Sequence, residues 1–355
     1  MIPFTERLDT LVEAGSRLTA LLNDYKQSGT GDNFLRNVLH QAEVENAWFT
    51  ETNVIYVLEN IAADLEKTNL EQWLSNYQGI ENIKGGKKVG IIMAGNIHLV
   101  SWRDMLGVLI TGNHIIGKLS AKDKILVRFI TDHIMKINPE FSQLIGIEEG
   151  GLKNFDAVIA TGSNNSARYF DYYFGKYPGI IRKNKNSVAV ISEDEKEENL
   201  KLLADDVFLF FGLGCRNVSK IYVPRDFDFA MLFKAFEKYS HLINHNKYSN
   251  NYIYNRAIYL VNKLAYLDNG FLLLKEDEAI SSPVGVLYYE HYNDFEDMEE
   301  KIFINRNSIQ CIVSEYEHVN KTIKFGRSQK PELCDYSDNV DILRFLINLH
   351  NISNM

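Results

Sequence analysis

The sequence is poor in cysteine and proline and has no long apolar run. Its three cysteines, Cys215, Cys311 and Cys334, lie far apart and form no CxxC pair. An odd count at such spacing gives neither a disulfide framework nor a zinc site. A reducing, cytoplasmic setting is the expectation. No 18-residue apolar stretch occurs, so no membrane span is expected. The start, Met1 to Arg7, lacks the basic-then-apolar pattern of a signal peptide. Six prolines and no low-complexity tract leave no evident flexible linker, and no internal repeat is found. Positive charge is also short. The net charge is −9, with acids spread along the chain, which argues against general nucleic-acid binding through a basic stripe. GxGxxG, HExxH, GxSxG and Walker patterns are all missing.

What remains is an ordinary globular composition, 45% hydrophobic and 24% charged over 355 residues. That length suits two domains or one large α/β unit. Residues 5 to 82 read as helical, with apolar residues at helical spacing from Leu8 to Leu22 and again from Val54 to Leu65. Gly85-Gly86 breaks this pattern. Strands are then expected at Val89–Met93, His114–Leu119, Asp156–Thr161 and Ser187–Ile191. Helices are expected at Trp102–Thr111 and Ser166–Phe174. Alternation of this kind implies right-handed crossovers and a parallel sheet, with ligands past the strands' carboxyl ends. A second α/β segment is expected after residue 215. Its strands are Val218–Val223, Gly270–Leu274, Gly285–Tyr289 and Ile309–Val313; its helices are Phe229–Tyr239 and Asn251–Leu267. An acidic helix, Glu193–Asp206, joins the two parts. The expected domains are 1–196, 197–335 and a tail, 336–355.

Cys215 ends the apolar run Val207 to Gly214, which carries Gly212 and Gly214. Glycines there allow a tight turn and close approach to a ligand. The thiol is either an accessible nucleophile or a small buried hydrophobe. Asn96 follows a strand and a glycine. Its amide is either a turn group bonded to its own backbone or a donor for a developing oxyanion. Gly162-Ser163 opens a helix, so it faces a pyrophosphate or simply caps the helix. Lys118 ends a strand, where it reaches a ribose or phosphate or stays solvated. His241 and His245 are four apart, but two histidines do not fill a metal site, and His245-Asn-Lys247 reads as a polar loop. The aromatic helix Tyr169 to Phe174 reads as domain packing.

Taken in order, these pieces resemble the aldehyde dehydrogenase superfamily. More narrowly, they resemble its acyl-CoA reductase branch, typified by the long-chain aldehyde-forming reductase of bacterial luminescence. The similarity runs over roughly residues 85 to 345. Met93-Ala-Gly-Asn96 is similar to the family's Pro-Trp-Asn turn, which implies that Asn96 is the oxyanion-hole amide. Thr111-Gly-Asn113 through Lys118-Leu-Ser120 resembles Thr-Gly-Asn…Lys-Pro-Ser, implying that Lys118 and Ser120 hold the adenosine ribose. Ala160-Thr-Gly-Ser163 resembles the turn under the cofactor phosphates, which gives that role to Gly162 and Ser163. Gly212-Leu-Gly-Cys215 is similar to Gly-Gln-x-Cys, implying that Cys215 is the nucleophile, and Ser281-Ser-Pro-Val284 looks like a degenerate Phe-Gly-Pro-Val. The segments Lys324–Pro331 and Asp335–Asp341 also resemble the reductase branch.

Two departures stand out. Arg182-Lys-Asn-Lys-Asn186 replaces Glu-Leu-Gly-Gly-Lys, so the water-activating glutamate is missing, and Ala279 falls where a glutamate usually precedes Phe-Gly-Pro-Val. The implied fold is aldehyde dehydrogenase-like: two three-layer α/β/α domains with parallel or mostly parallel sheets and an active-site crevice between them. The implied activity is reduction of a fatty acyl thioester to the aldehyde through a Cys215 acyl-enzyme. Ala121-Lys122 after Ser120, with no acid there, points to NADPH. Expected partners are acyl-CoA or another acyl thioester, an acyl-activating protein as a candidate, and a second copy in a homo-oligomer. The alternatives are an NAD(P)-dependent oxidiser of aldehydes and a non-catalytic subunit that binds an acyl-activating partner. High-turnover production of free acid would mark the first. Failure of NADPH to protect Cys215 from alkylation would mark the second.

Overall fold

The computed structural model describes residues 1–28, 33–148, 150–162, 164–316, 319 and 321–352. The chain divides into two compact units, Met1–Lys183 with Glu332–Met355, and Asn184–Pro331. The boundary thus falls at 183/184 rather than 196/197, and the expected tail groups with the first unit. Among the described residues no helix is long and apolar enough to cross a membrane.

The first unit opens with helices α1 (Phe4–Ser28), α2 (Asn33–Glu45), α3 (Glu51–Asp64) and α4 (Lys67–Leu74). Their apolar stripes, such as Leu11, Leu18, Leu35, Leu58 and Leu70, are buried in a common core, as the 3.6-residue period requires. There follow β1 (Lys88–Ile92), α5 (Trp102–Ile110), β2 (His114–Lys118), α6 (Ile125–Ile137), β3 (Ile145–Glu148), β4 (Ala157–Thr161), α7 (Asn164–Phe174) and β5 (Gly179–Arg182). The five strands are all parallel, in the order β3-β2-β1-β4-β5. The sequence pattern missed β3 and β5, both only four residues long.

The Thr111-Gly-Asn113 stretch has a structural task. Gly112 closes α5 with a positive φ, and its carbonyl accepts the Gly86 N–H at 2.9 Å. A Cβ on Gly85 would lie 2.1 Å from that same oxygen, so glycine is required. The buried Asn113 Oδ1 accepts the Lys87 N–H at 3.1 Å. These contacts set the register of β1 on β2 at the strands' amino ends, away from the ends where ligands bind.

The second unit contains β6 (Asn186–Val190), α8 (Glu197–Phe208), β7 (Val218–Pro224), α9 (Phe229–Phe236), α10 (Asn246–Val261), β8 (Leu267–Asp268), β9 (Leu273–Glu276), β10 (Val286–Tyr292), α11 (Phe295–Asn305), β11 (Ile309–Val313) and β12 (Thr322–Ile323). Its sheet runs β12-β11-β6-β7-β10-β9-β8 and is parallel except for β8 on β9. The strand expected to finish the first sheet is therefore β6, near the middle of the second. A fully apolar strand fits the centre of either sheet, so the pattern does not say which. The helix expected at 251–267 is α10, which starts five residues earlier and ends six earlier, and His245–Lys247 is its start rather than a loop: the His245 side chain accepts the Tyr248 N–H. The last helix, α12 (Ile342–Ile352), belongs to the first unit, where Ile342 and Leu346 lie against Gly107 of α5.

Arg182, at the end of β5, is buried and ion-paired with Asp104 of α5 at 2.6 Å, with side-chain exposures of 10% and 6%. Removing the carboxylate beside a buried guanidinium is costly. Asp104→Ala is expected to lose about 3 kcal/mol, read as a lowered urea midpoint, and Asp104→Asn to lose less.

Candidate active site and cofactor cleft

In the first sheet the winding reverses between β1 and β4, and ligands of such sheets sit outside the carboxyl ends at that reversal. Asn96 follows β1, Gly162 follows β4, and Lys118 ends β2. The turn after β1 is held by several groups. Asn46 Nδ2 donates to the carbonyls of Gly95 (3.3 Å) and Lys122 (3.4 Å), tying this turn to the one after β2. A Cβ on Gly95 would stand 2.3 Å from Ser120 Oγ, so the two turns touch. Ser120 Oγ also accepts the Lys122 N–H at 3.2 Å.

Asp123 Oδ2 accepts the Leu99 N–H at 2.7 Å, where Leu99 has a φ of 49°. Burial pushes this carboxyl up to about 7, with Glu45 nearby adding to the shift. His98 is stacked on Phe49 at 4.0 Å, and burial pushes it down to about 3, so its ring is neutral. Asn96 is exposed on the turn that these groups fix.

One face of this sheet is closed and the other open. Ile91 and Ile115 point to the closed face and are fully buried, whereas their neighbours Ile92 and Ile116 are partly exposed. Right-handed crossovers put α5 and α6 on one face and α7 on the other. Between β3 and β4 the described residues, 150–156, form no helix, and Leu152 and Phe155 among them cover Gly90 of β1. Beside them lies a cleft of ≈ 600 Å³. Ile92, Lys118, Phe155, Tyr169, Tyr173 and Phe174 contribute to its walls. The aromatic helix is therefore not buried packing: Tyr169, Tyr172 and Tyr173 are 65%, 83% and 62% exposed. Flat aromatic walls, the lysines Lys118, Lys153 and Lys176, and a position at the carboxyl ends fit a nucleoside bearing phosphate. Gly162 passes under α7, where a Cβ would meet Phe170 at 2.8 Å. Ser163 lies outside the described residues.

In the second unit, Cys215 sits on the turn between α8 and β7 and is partly exposed. Phe210, Phe211 and Gly212 run in succession at φ 55°, 57° and 75°. Two such non-glycine residues are strained. Both phenylalanines are 5% exposed, and the Phe211 ring lies 4.4 Å from His245. Burial of the rings offsets the strain.

Asn217, fully buried, binds the turn together. Its Oδ1 accepts the Gly214 N–H at 2.8 Å, and its Nδ2 donates to the carbonyls of Asp206 (3.0 Å) and Leu209 (2.8 Å). The Asp206 carboxylate in turn accepts the N–H groups of Gly326 (2.6 Å) and Ser328 (2.9 Å), and burial pushes it up to about 6. Beyond the turn, β7 clamps the segment at 278–280: Ser219 Oγ donates to the Ile280 carbonyl at 2.6 Å and Lys220 Nζ to that of Glu278 at 2.8 Å. The His245 side chain caps α10, and among the described residues no group of three or more His, Cys, Asp or Glu is placed to hold a metal ion.

A family model described as acyl-CoA reductase (LuxC) matches residues 32–231. The chain belongs to the acyl-CoA reductase (LuxC) family. The matched range includes Asn96, Lys118, Ser120 and Cys215. No curated protein matches the chain significantly. Solved structures similar to this acyl-CoA reductase family member are aldehyde dehydrogenases. An indole-3-acetaldehyde dehydrogenase in complex with NAD+ aligns with a TM-score of 0.64 at 14% identity, over 91% of this chain and 74% of that one. The NAD+ complex of a Bacillus cereus aldehyde dehydrogenase gives 0.62 at 12%, over 90% and 73%. A Mycobacterium tuberculosis aldehyde dehydrogenase with NAD+ gives 0.61 at 15%, over 92% and 76%. The fold is aldehyde dehydrogenase-like, as the motifs implied. Family and fold together support redox chemistry at an aldehyde group.

The structure gathers Asn96, Lys118, Ser120 and Gly162 at one end of the first sheet and places Cys215 in the second unit. Sequence reading missed the cleft aromatics, whose signal was the repeat of Tyr or Phe at 169, 170, 173, 174 and 177 after a Gly-Ser turn. It also missed Asn46 and Asn217, which carry no local signal, and read Asp123 as a candidate cap of the next helix where its carboxylate instead accepts the Leu99 N–H.

The Asp123 carboxyl yields a pH test. Its folded value, about 7, lies above its ordinary 3.8. The folded state therefore keeps the proton longer, and this contribution to stability is full below 3.8 and lost as pH rises through 7. Asp123 thus lowers urea midpoints from acid to neutral pH, while His98, held neutral down to about 3, raises them over the same window, so Asp123→Asn is expected to turn the slope upward relative to wild type by removing the falling part. An unaltered slope in Asp123→Asn would reject the assignment.

Proposed function

We propose that this chain reduces a fatty acyl thioester, acyl-CoA in the first instance, to the corresponding aldehyde through an acyl group held on Cys215, with NADPH as reductant. The observation that carries the reading is a partly exposed thiol on a strained turn that is fixed from both flanks, in a chain of the acyl-CoA reductase family. In this reading the Cys215 thiolate attacks the acyl carbonyl carbon. The Asn96 amide and the Cys215 N–H receive the oxyanion. The C–S bond to CoA breaks, the CoA thiolate leaves and takes up a proton, and the acyl group remains as a thioester on Cys215. A nicotinamide, when bound, supplies the hydride that no side chain can. The carbon–sulfur bond to Cys215 then breaks, which releases aldehyde and restores the thiolate.

The fate of the acyl group turns on Arg182. By the resemblance it stands where hydrolytic relatives carry a glutamate, and here it is a buried cation paired with Asp104. No base at that position activates water, so hydrolysis is slow. For the cofactor, Lys118, Lys153 and Lys176 line the cleft and Lys122 follows the β2 turn, cations that suit a 2′-phosphate. Glu148, the register neighbour of Lys118 on β3, is the carboxylate that a preference for NADH would use.

Cys215→Ala is expected to make no aldehyde and to retain no labelled acyl group on a denaturing gel; retained label would move the nucleophile elsewhere. The ratio of kcat/KM for NADPH over NADH is expected above one in wild type and to fall in Lys122→Ala. Tyr173→Ala and Phe174→Ala should raise the KM for the cofactor about threefold to tenfold, the size of one lost aromatic contact. Thioesters of graded chain length and carrier, run in the same assay, identify the acyl donor.

A further inference from the structure

Cys215 is held from a second side by a pair of residues that the resemblance does not assign. Ser187 lies on β6 and is fully buried. Its Oγ is 3.1 Å from the Cys215 carbonyl oxygen, 2.9 Å from Cys311 Sγ and 3.2 Å from the Cys311 backbone nitrogen. Its own N–H donates to the Asn217 carbonyl at 3.1 Å. The protons can be assigned by counting. A serine hydroxyl has one hydrogen to give and two lone pairs to fill. The Cys215 carbonyl can only accept, so the Ser187 hydrogen goes there. The two lone pairs then accept from the Cys311 N–H and the Cys311 S–H. This count is consistent only with a protonated Cys311, and burial does push that thiol up to about 11. Both β6 pairings are irregular here: the β6–β7 register shifts between Ser187 and Val188, and the β6–β11 register shifts between Ile309 and Ile312, around Cys311. Such bulges re-aim side chains next to active sites.

We propose that Ser187 and Cys311 are positioning residues for the nucleophile: the Cys311 thiol orients the Ser187 hydroxyl, and that hydroxyl fixes the carbonyl of Cys215 and so the direction in which its sulfur points. The proposal rests on the reading of Cys215 as the acyl acceptor. In this proposal the pair works through the backbone of Cys215, which Ser187 contacts. It acts on alignment, and a misplacement of about 1 Å at a reacting atom costs about a hundredfold.

The test measures two reactions of the same sulfur on the folded full-length chain. Transfer from a labelled acyl-CoA needs alignment, whereas alkylation by iodoacetamide needs only a reachable thiolate. Ser187→Ala is expected to slow acylation about tenfold to a hundredfold through kcat, with KM and the alkylation rate within about threefold of wild type. Cys311→Ala should slow acylation by a smaller factor, because the Cys311 N–H still reaches Ser187, and Cys311→Ser should restore it by supplying an O–H donor. Wild-type acylation in Ser187→Ala, or an equal loss of alkylation and acylation, overturns the proposal. Should Ser187→Ala fail to fold, the Cys311 pair decides alone: equal acylation rates in Cys311→Ala and Cys311→Ser overturn it. A wild-type protein that alkylates at Cys215 yet never acylates would instead refute the acyl-enzyme reading, an outcome distinct from all of these.

Discussion

Much of what can be said of Cys215 depends on the side chain of Asn217. Residues 210 to 212 lie in the left-handed region, and the turn's own backbone supplies the bonds from Leu213 N–H to the Phe210 carbonyl and from Asn217 N–H to the Gly214 carbonyl. A buried polar group without a partner costs about 1–3 kcal/mol, so the turn's other groups need partners too. One amide supplies several. Its oxygen takes the N–H of Gly214, and its nitrogen reaches back to carbonyls at the end of α8. An aspartate in its place could accept but not donate, and a leucine could do neither. The Asp206 carboxyl extends the same lattice to the 326–328 backbone, so a segment distant in sequence is fixed to the same turn.

The first unit solves a different problem. A parallel sheet normally buries both faces under helices. Here the described residues between β3 and β4 form no helix, and a face that a helix would have filled is left with an aromatic-walled cleft. The exposed tyrosines of α7 follow from that economy: their rings have no helix to pack on. The strand ends on that side carry the turns at 96, 118–120 and 162, while the Gly85-Gly86 and Thr111-Gly-Asn113 interlock secures the opposite ends. Position and support are thus divided between the two ends of the same strands.

Much of the fold was legible because helix and strand periods differ so clearly between residues 1–82 and 85–190. Cys215, Asn96, Lys118 and Gly162 stood out as candidates for another reason: each ends or follows a strand or a glycine pair in an order that resembles one family. The supporting residues were not legible. Asn46, Asp123, Ser187 and Asn217 are ordinary polar residues in sequence, and each acquires its task only from a partner many positions away, such as Asp123 from Leu99 or Ser187 from Cys311. The placement of β6 failed on the same ground. An apolar run says that a strand is buried, and only non-local pairing says in which sheet.

The three cysteines show how strongly position overrides identity. Cys311 lies beside Ser187, where desolvation keeps its thiol protonated; Cys334 is exposed, and partial desolvation together with Asp335 and Glu332 holds its proton on. Neither environment suits a nucleophile at neutral pH, since reactivity belongs to the thiolate. Cys215 instead has Arg216 next in sequence and lies on a turn whose backbone is fixed by the side chains of Ser187 and Asn217. If the turn were held by the thiol itself, any bond made to the sulfur would loosen it. Because these hydrogen bonds run through the Gly214 N–H, the Cys215 carbonyl and the Asn217 side chain and carbonyl, the support survives while the sulfur changes partners.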